Sequence, residues 1–236
     1  MSKLAKDSLK IQAMFSSIAP RYDLLNRLLS FGRDRYWRRF AVKQLPKKDA
    51  GIFLDIATGT GDIAIEIVKQ HTRNVRVIGI DFSEQMLEFG RRKILKKGYQ
   101  EQIELRLGDV ASLPFEDKIF DSAIIAFGIR NVEDYKHGLR EITRVVKDGG
   151  KVVILEFTPS QNQLLKWPYH IYFTKILPFI GKIISKAKDA YKYLPESVLE
   201  FPGPEELKKI MEETGLQEVK YYNLSFGITA VHVGIK

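Results

Sequence analysis

A buried strand that runs into a glycine turn and then a helix is the feature that most constrains the fold of this 236-residue chain. Residues 52–57 are almost wholly apolar, and Gly59 and Gly61 follow directly. Glycine tolerates positive φ, and its missing Cβ lets a ligand approach the backbone closely. The free N–H groups of the following helix, predicted over residues 60–70, point back at this turn. Such junctions hold nucleotide-like ligands, although an ordinary βα turn would show the same pattern.

A carboxylate at the end of the next apolar run strengthens the ligand interpretation. Residues 75–81 form the second predicted strand, which ends at Asp81. An acidic side chain at this place can accept hydrogen bonds from both hydroxyls of a ribose. Asp81 could instead cap the following helix, but Ser83 is better placed for that role. Residues 59–64 also fit the G-x-G-x-x-A form used for NAD, so the pattern does not identify the nucleotide.

Composition restricts the class of protein. The chain is 44% hydrophobic and 28% charged, which is typical of a folded domain with a large core. It contains no cysteine, which excludes disulfides, cysteine nucleophiles and thiolate metal sites and suits a reducing cytoplasm. The four histidines are scattered singly, so we expect no metal site. The N-terminus has no apolar signal core, and no apolar stretch is long enough to span a bilayer.

The formal net charge of +9 favours an anionic partner. Nucleic acid and an acidic membrane surface are both open at this point, as is a lysine-rich surface that only contacts water. The basic run at residues 33–39 is expected to be a solvated helix face rather than a phosphate site.

The first 50 residues are predicted to form a helical cap that precedes the sheet. Apolar side chains recur there at helical spacing, and Pro20 and Gly32 divide the pattern into two or three short helices. Residues 51–236 then form the ligand-binding domain.

Apolar runs and helical patterns alternate after residue 75, which indicates βαβ units and a parallel sheet. They predict helices over residues 84–97 and 132–146, the second ending near Gly149, and strands over residues 103–107, 121–127 and 151–157. An apolar, lysine-interrupted insertion at about residues 160–195 suits either a lid on the sheet or a membrane interface. A helix over residues 202–215 and an antiparallel hairpin of residues 217–222 and 228–235 complete the chain.

This order of elements resembles the class I S-adenosylmethionine-dependent methyltransferases, whose Rossmann-like fold is α/β. The resemblance implies a seven-stranded, mostly parallel sheet with an antiparallel C-terminal strand, an N-terminal helical cap and a helical insertion after the fifth strand. From residue 15 onward, the chain resembles more closely the ubiquinone/menaquinone C-methyltransferase family (UbiE/MenG). The matching segments are residues 22–30 with Trp37, 54–62, 113–115, 127–132 and 144–150 leading to Glu156.

The chain departs from that family at five positions. The family usually has methionine, histidine, proline and serine where Leu25, Asp34, Asp148 and Thr158 stand, and its quinone enzymes often have serine at Ala126. These differences leave the prediction of a methyltransferase intact and leave the particular quinone open.

The resemblance implies roles for the cofactor site. The backbone of Gly59 and Gly61 and the side chain of Thr60 are expected to line the methionine part of S-adenosylmethionine, and Asp81 to hold its ribose. Asp109 is expected to accept from the adenine amino group, beside the Val110 backbone, although it could be only a turn carboxylate. Carboxylates suit a sulfonium cation, whereas Asp62 at the helix start would repel the pyrophosphate of NAD.

The reaction that the resemblance implies is C-methylation of a polyprenyl quinol ring, demethylmenaquinol to menaquinol or the methoxy-benzoquinol step of ubiquinone synthesis. Arg130 and Asn131 are expected to be catalytic, by holding a water and stabilising a phenolate. The alternative is that Arg130 braces a carboxylate and Asn131 caps the next helix. Tyr22, Asp23 and Asn26 are expected to form a lid over the substrate.

A polyprenyl substrate implies a cytoplasmic protein in peripheral contact with an anionic membrane, and a homodimer remains open. Nucleic acid is not expected, since the chain lacks an Asn/Asp-Pro-Pro-Tyr motif and a cysteine for attack on pyrimidines. Three alternatives remain at this point: another small-molecule methyltransferase that uses S-adenosylmethionine, an NAD-dependent reductase, and a non-catalytic module that binds S-adenosylmethionine.

Overall fold

The N-terminal residues form three helices, as Pro20 and Gly32 predict. The computed structural model describes residues 8–71, 74–159 and 188–236. The cap consists of α1 (Ser8–Ile18), α2 (Tyr22–Leu29) and α3 (Arg33–Val42), with a 3₁₀ turn at Ala19–Arg21 between the first two. Gly32 lies at φ 77°, a conformation that glycine adopts readily, and separates α2 from α3.

Strands and helices then alternate through the rest of the chain. The strands are β1 (Ala50–Ile56), β2 (Asn74–Asp81), β3 (Ile103–Leu107), β4 (Phe120–Ala126), β5 (Val146–Phe157), β6 (Gln217–Leu224) and β7 (Thr229–Ile235). The helices are α4 (Asp62–Gln70), α5 (Glu84–Lys97), α6 (Tyr135–Val145), α7 (Lys188–Glu200) and α8 (Pro204–Glu213), with 3₁₀ turns at Ile129–Asn131 and Ser225–Gly227.

The strands form one sheet in the order β3-β2-β1-β4-β5-β7-β6. Strands β1 to β5 pair in parallel, and β7 pairs antiparallel with both β5 and β6. The strand order reverses beside β1, where β2 lies on one side and β4 on the other. In a parallel sheet this reversal opens a crevice at the carboxyl ends of the strands, which is where ligands bind. The predicted α/β fold with its antiparallel C-terminal strand is confirmed.

Helices cover both faces of the sheet because successive strand residues point to opposite sides. Phe53 belongs to the core on one face, together with Trp37 of α3 and residues of α4 and α5. Leu54 belongs to the core on the other face, under α6 and α8. Since Trp37 is only 3% exposed, the third cap helix is part of the sheet's own core. The boundary predicted at residue 50 remains a prediction.

The predicted end of α6 at residue 146 is within one residue of the observed end, but the glycine stop predicted for it was wrong. Gly149 does not terminate it, because α6 ends at Val145 and the chain enters β5 at once. Val146 pairs with Phe120, and Gly149 donates its N–H to the carbonyl of Lys236 over 2.7 Å. Both valines at the junction are fully buried. Burial and pairing with the C-terminus therefore outweigh the usual preference for glycine after a helix.

The boundaries of the other helices and strands agree closely with those that the sequence pattern predicts. Ser83 caps α5 by accepting from the N–H of Met86, and Pro204 occupies the first turn of α8. Most of the predicted insertion lies outside the described residues, which resume at residue 188 within α7. Among the described helices, none is long and apolar enough to cross a membrane.

Candidate active site

A cavity of about 950 Å³, part of it open to solvent, lies at the carboxyl ends of β1, β2 and β4. It is therefore in the crevice that the strand order creates. Its walls combine the strand ends, the turn after β3, the loop after β4 and the N-terminal cap. The lining residues include Phe15, Tyr22, Ala57, Gly59, Asp81, Phe82, Met86, Asp109, Val110, Phe127, Gly128 and Asn131.

Gly59 brings the turn after β1 against the end of β2. Its φ is 55°, and a Cβ at this position would meet Met86 Cε at 3.3 Å. The N–H of Gly59 donates to Asp81 Oδ2 over 2.8 Å. The first glycine is therefore needed both for its conformation and for the close approach of the turn to Asp81.

Asp81 is 6% exposed and lies on the cavity wall. Its Oδ2 accepts from Gly59, and its Oδ1 accepts from the N–H of Ser83 over 3.0 Å. Burial raises the pKa of the carboxyl to about 6, although these backbone hydrogen bonds oppose the rise. Each oxygen still has capacity for another hydrogen bond, because a carboxylate has about four acceptor positions.

Asp55 is a second buried carboxyl beneath the same turn. Its Oδ2 accepts from Thr58 Oγ1 and from the Ala64 N–H, while Oδ1 has no hydrogen-bond partner among the described residues. Burial raises its pKa to about 7, and Asp81 adds to the rise. The glycine turn is therefore held between two carboxyls that both protonate more easily than usual.

Asp109 and Val110 line the cavity across from the glycine turn. Asp109 Oδ1 accepts from the N–H of Ala111 over 2.9 Å, so this residue is a turn carboxylate as well as a cavity residue. The two interpretations of Asp109 are thus compatible.

Thr60 and Gly61 do not line the cavity. Thr60 Oγ1 donates to Asp23 Oδ1 over 2.6 Å and accepts from Lys93 Nζ over 2.8 Å. The threonine side chain therefore connects the glycine turn to the cap and to α5. Asp23 likewise contacts the turn from outside the cavity wall.

Lys93 and Arg38 extend this contact into a chain of alternating charges. Lys93 Nζ lies 2.5 Å from Asp23 and 2.8 Å from Asp62, and Arg38 pairs with both Asp62 and Asp34. Burial acts to raise the pKa of Asp62, but Arg38 and Lys93 lower it overall. Asp62 is thus neutralised by neighbours, so its predicted repulsion of a phosphate is a weak argument.

The basic run at residues 33–39 was predicted to be a solvated face, and this is wrong for one of its members. Arg38 is 7% exposed and holds the cap against the start of α4 through its ion pairs, whereas Arg33, Arg35 and Arg39 are exposed. Charge spacing along the chain could not show which arginine faces the core.

Tyr22 and Asn26, the other two residues predicted to form the lid, lie at one side of the cavity. Tyr22 lines it, packs edge-on against Phe15, and has Asn26 beside its hydroxyl. Burial raises the pKa of Tyr22, although Arg38 opposes the rise. Asn26 itself does not line the cavity.

Two residues with positive φ shape the opposite wall. Ala57 (φ 51°) and Phe127 (φ 57°) directly follow β1 and β4. Left-handed conformations are uncommon for residues other than glycine and are concentrated at functional sites. A Cβ on Gly128 would lie 2.5 Å from Ala57 Cβ, so glycine is required where the two strand ends meet.

Arg130 is buried behind this wall. Its Nη1 donates to Glu156 Oε1 over 2.6 Å and to the Phe127 carbonyl over 2.7 Å, and its Nε donates to Ser197 Oγ over 3.3 Å. Burial raises the pKa of Glu156, and Arg130 opposes the rise. Within the described part of the chain, Nη2 makes no hydrogen bond. Arg130 thus braces a carboxylate, and the N–H donors of Nη2 are unused within that part of the chain.

Asn131 lines the cavity beside it. Its Nδ2 donates to the Phe127 carbonyl over 3.4 Å, and its buried Oδ1 has no partner among the described residues. Asn131 does not cap the next helix, because Asp134 does so by accepting from the N–H of His137. A buried acceptor without a partner is rare and calls for a ligand or an ordered water.

Comparison with known proteins identifies the chain's relatives. The profile of the ubiE/COQ5 methyltransferase family matches residues 2–236. The chain belongs to the ubiE/COQ5 methyltransferase family.

Relatives that match along their full length share about half of their residues with this chain. A ubiquinone/menaquinone biosynthesis C-methyltransferase UbiE from Geotalea uraniireducens (strain Rf4) is 50% identical over 236 residues, which is 100% of both chains. A demethylmenaquinone methyltransferase from Thermus thermophilus is 48% identical over 221 residues, 94% of this chain and 99% of the relative. A solved S-adenosylmethionine-dependent methyltransferase from Thermotoga maritima shares the fold, with TM-score 0.66, 22% identity and coverage of 95% and 99%.

The ubiE/COQ5 family member is an S-adenosylmethionine-dependent methyltransferase, and the chemistry of its cavity fits that cofactor. Asp81 retains acceptor capacity for ribose hydroxyls, and Gly59 leaves room beside Tyr22 and Met86 that a Cβ would fill. Asp81, Asp109 and Asp134 supply carboxylates around the cavity, which suits a cation. No cluster of metal ligands occurs among the described residues.

Sequence reasoning missed several cavity residues of this methyltransferase. They are Phe15, Ala57, Phe82, Met86, Glu133 and Asp134. Ala57 and Phe82 each follow the last residue of a strand, a position that could have been used to find them. Phe15 and Met86 are helical, and only the packing of α1 on α5 brings them to the cavity.

Proposed function

We propose that this methyltransferase methylates a ring carbon of a polyprenyl quinol and converts demethylmenaquinol to menaquinol. The observation that carries the proposal is full-length similarity, at 48% identity, to a protein named demethylmenaquinone methyltransferase. Relatives named for both ubiquinone and menaquinone synthesis match equally well, so the methoxy-benzoquinol is the second candidate substrate.

The cofactor-binding residues in this proposal are those on and beside the glycine turn. Asp81 binds the ribose, Asp109 with the Val110 backbone binds the adenine, and residues 59–61 bind the methionine end. Thr60 would contact the cofactor through its backbone, or through its hydroxyl once that hydroxyl no longer donates to Asp23. When bound, S-adenosylmethionine supplies an electrophilic methyl group.

Arg130 and Asn131 bind the ring oxygen of the quinol in this proposal. A ring carbon becomes nucleophilic when a neighbouring hydroxyl loses its proton, so the site needs a proton acceptor and a stabiliser of the phenolate. Asn131 Oδ1 can hold the hydroxyl, or a water that accepts its proton, because it is a buried acceptor without another partner among the described residues. Arginine stays protonated and cannot be the base, but Nη2 can donate to the phenolate.

Aromatic side chains beside Arg130 suit a flat ring. Phe127 and Phe157 lie 4.7 Å apart between ring centroids, and Trp37 lies about 6 Å from each. Tyr22, with Asp23 and Asn26 behind it, closes the side of the cavity that faces the cap. Phe127 lines the cavity and offers its ring to a flat substrate, with Phe157 and Trp37 packed against it, and the neighbouring polar groups suit the ring oxygens.

A methyl-transfer assay tests the proposal directly. Purified protein with labelled S-adenosylmethionine should label demethylmenaquinol, and a methoxy-benzoquinol should be run beside it. Reduced quinols should react and the oxidised quinones should not, because only the quinol can form a phenolate. Absence of label from both quinols, with intact cofactor binding, would reject the proposed function.

We further propose that exposed apolar side chains of α2 and of the turn after it, Leu24, Leu28 and Phe31, form a stripe that contacts anionic membranes, where a polyprenyl quinol is dissolved. Leu24 and Leu28 lie one helical turn apart on α2, Phe31 follows the end of the helix, and the three are 53%, 44% and 81% exposed. The exposed arginines at positions 33, 35 and 39 lie in the adjoining helix. Apolar side chains beside cationic ones are the composition that binds a bilayer interface.

Replacing the stripe by serine (L24S/L28S/F31S) should lower co-sedimentation with phosphatidylglycerol vesicles at least about tenfold, since three inserted side chains are lost. The matched control L95S/L107S/L199S changes three leucines that are equally exposed elsewhere and should bind vesicles normally. Equal losses in both variants would refute the assignment. If the wild type is a dimer in light scattering and only the stripe variant is a monomer, the stripe is a homodimer interface instead.

A further inference from the structure

Helix α7 places a tyrosine beside the Arg130–Glu156 pair. Tyr193 stands four residues before Ser197, so both side chains lie on one face of the helix. Ser197 accepts from Arg130 Nε and donates its own hydroxyl hydrogen to the Leu194 carbonyl. The Ser197 hydroxyl therefore helps to hold the arginine, and its own hydrogen is already bonded.

The Tyr193 hydroxyl, unlike that of Ser197, does not bond to the arginine. Its hydroxyl oxygen is shielded from solvent and has no hydrogen-bond partner among the described residues. Arg130, Glu156 and Glu200 are the charged groups that interact with it electrostatically, Arg130 most strongly. A shielded hydroxyl without a partner costs free energy, so a native fold retains it where something else completes its bonding.

The surroundings of α7 indicate what that partner is. The helix packs on the turn that holds Arg130 and Asn131, and it also contacts α1, whose Phe15 lines the cavity. Arg130 also interacts electrostatically with Tyr22 on the cavity wall. Asn131 Oδ1 on the cavity wall, and Arg130 Nη2 and the Tyr193 hydroxyl outside its lining, are thus three polar groups with unused bonding capacity among the described residues. The rings of Phe127 and Phe157, tilted by 37° to each other, lie beside Arg130.

We propose that Tyr193 is a substrate-binding residue whose hydroxyl donates a hydrogen bond to a ring oxygen of the quinol, alongside Arg130 Nη2. This inference rests on the proposed function. Burial raises the pKa of Tyr193 to about 12, so the hydroxyl remains a donor throughout the working range of pH. Two donors on one oxygen favour its phenolate form over its protonated form, and this preference assists loss of the hydroxyl proton.

The test is Y193F, which removes the hydroxyl and keeps the ring. We expect kcat/KM for the quinol to fall about 10- to 100-fold, with S-adenosylhomocysteine binding unchanged. The melting temperature without ligand should be equal or higher, because the variant removes an unsatisfied group. The phenolate-dependent limb of the pH–rate profile should shift to higher pH. Y221F, at a half-buried tyrosine on β6, is the matched control and should behave like the wild type.

Two results would overturn the inference. A lower melting temperature with normal kinetics would show that the hydroxyl bonds within the fold, and unchanged kinetics with an unchanged melting temperature would show that it contacts no substrate. Calorimetric binding of a short-chain naphthohydroquinone in the presence of S-adenosylhomocysteine separates this failure from that of the proposed function. If the wild type neither binds nor methylates the probe, the proposed function fails and the role of Tyr193 fails with it.

Discussion

Arg130→Ala should lower methyl transfer to the quinol by about 100- to 1000-fold, the usual effect of removing a preorganised donor from a developing oxyanion. Binding of S-adenosylhomocysteine should survive, because Arg130 bonds to Glu156, Phe127 and Ser197 and not to the residues proposed to hold the cofactor. The arginine is also structural, however. Glu156 is 1% exposed, and removing its partner should cost about 3–5 kcal/mol of folding free energy. A loss of activity in this variant alone could therefore reflect unfolding.

A double variant separates the two effects. R130M/E156Q removes both charges, fills the space of the arginine stem and keeps an acceptor for the Phe157 N–H, which now donates to Glu156 Oε1 over 2.9 Å. Exchanging a buried ion pair for neutral groups is often neutral for stability. We expect normal melting and cofactor binding with methyl transfer still lost. Turnover above a tenth of the wild-type rate in this variant would show that Arg130 only braces Glu156.

Asp81→Asn should weaken S-adenosylhomocysteine binding about 100- to 1000-fold. The carboxylate is proposed to accept from two ribose hydroxyls, and hydrogen bonds to a charged group are worth about 1.5–3 kcal/mol each. The new amide would also point an N–H at either Gly59 or Ser83, which both donate to Asp81 now. Asp109→Asn is the control and should cost about tenfold, since a single contact to adenine is at stake. Calorimetric titration measures both.

The same carboxyl predicts a pH dependence of cofactor binding. Because the pKa of Asp81 is about 6, affinity should fall about tenfold for each pH unit below that value, where the protonated acid loses acceptor capacity. Asp55, whose pKa is about 7, titrates in the same pH range, and the D55N variant should remove the part of the pH dependence that Asp55 contributes. Affinity that stays constant from pH 8 to 5 would contradict the proposed role of Asp81.

Stability without cofactor should change in the opposite direction. Both carboxyls have higher pKa values in the folded protein than the ordinary 3.8, so the fold binds these protons more tightly than the unfolded chain. The free energy of unfolding should therefore fall as the pH rises, by about 1.4 kcal/mol per pH unit for each carboxyl that has lost its proton only in the unfolded chain. Both contribute between about pH 4 and 6, which gives about 2.8 kcal/mol per unit, and only Asp55 contributes between about pH 6 and 7. D55N should flatten this profile in chemical denaturation.

The residues around the glycine turn show which features of the site a local sequence pattern can predict. Gly59 and Asp81 were predicted from their places at strand ends and Asp109 from the family resemblance, and all three line one cavity. Parallel strands require this, because their carboxyl ends meet at one edge of the sheet. Thr60, predicted from the same turn, faces Asp23 and Lys93 instead. The direction of a side chain within a turn depends on which partners the fold brings to it.

The sequence by itself determined the α/β fold, the antiparallel last strand and the edge of the sheet at which the cavity proposed to hold the cofactor lies. Those properties follow from periodicity and from short-range chemistry at strand and helix ends, which neighbouring residues specify. Only the tertiary structure decided that Arg38 is buried, that Arg130 is paired with Glu156, and that Tyr193 stands beside them. Each of these depends on contacts between segments far apart in the chain, and the burial and charge pairing that result are properties of the assembled fold.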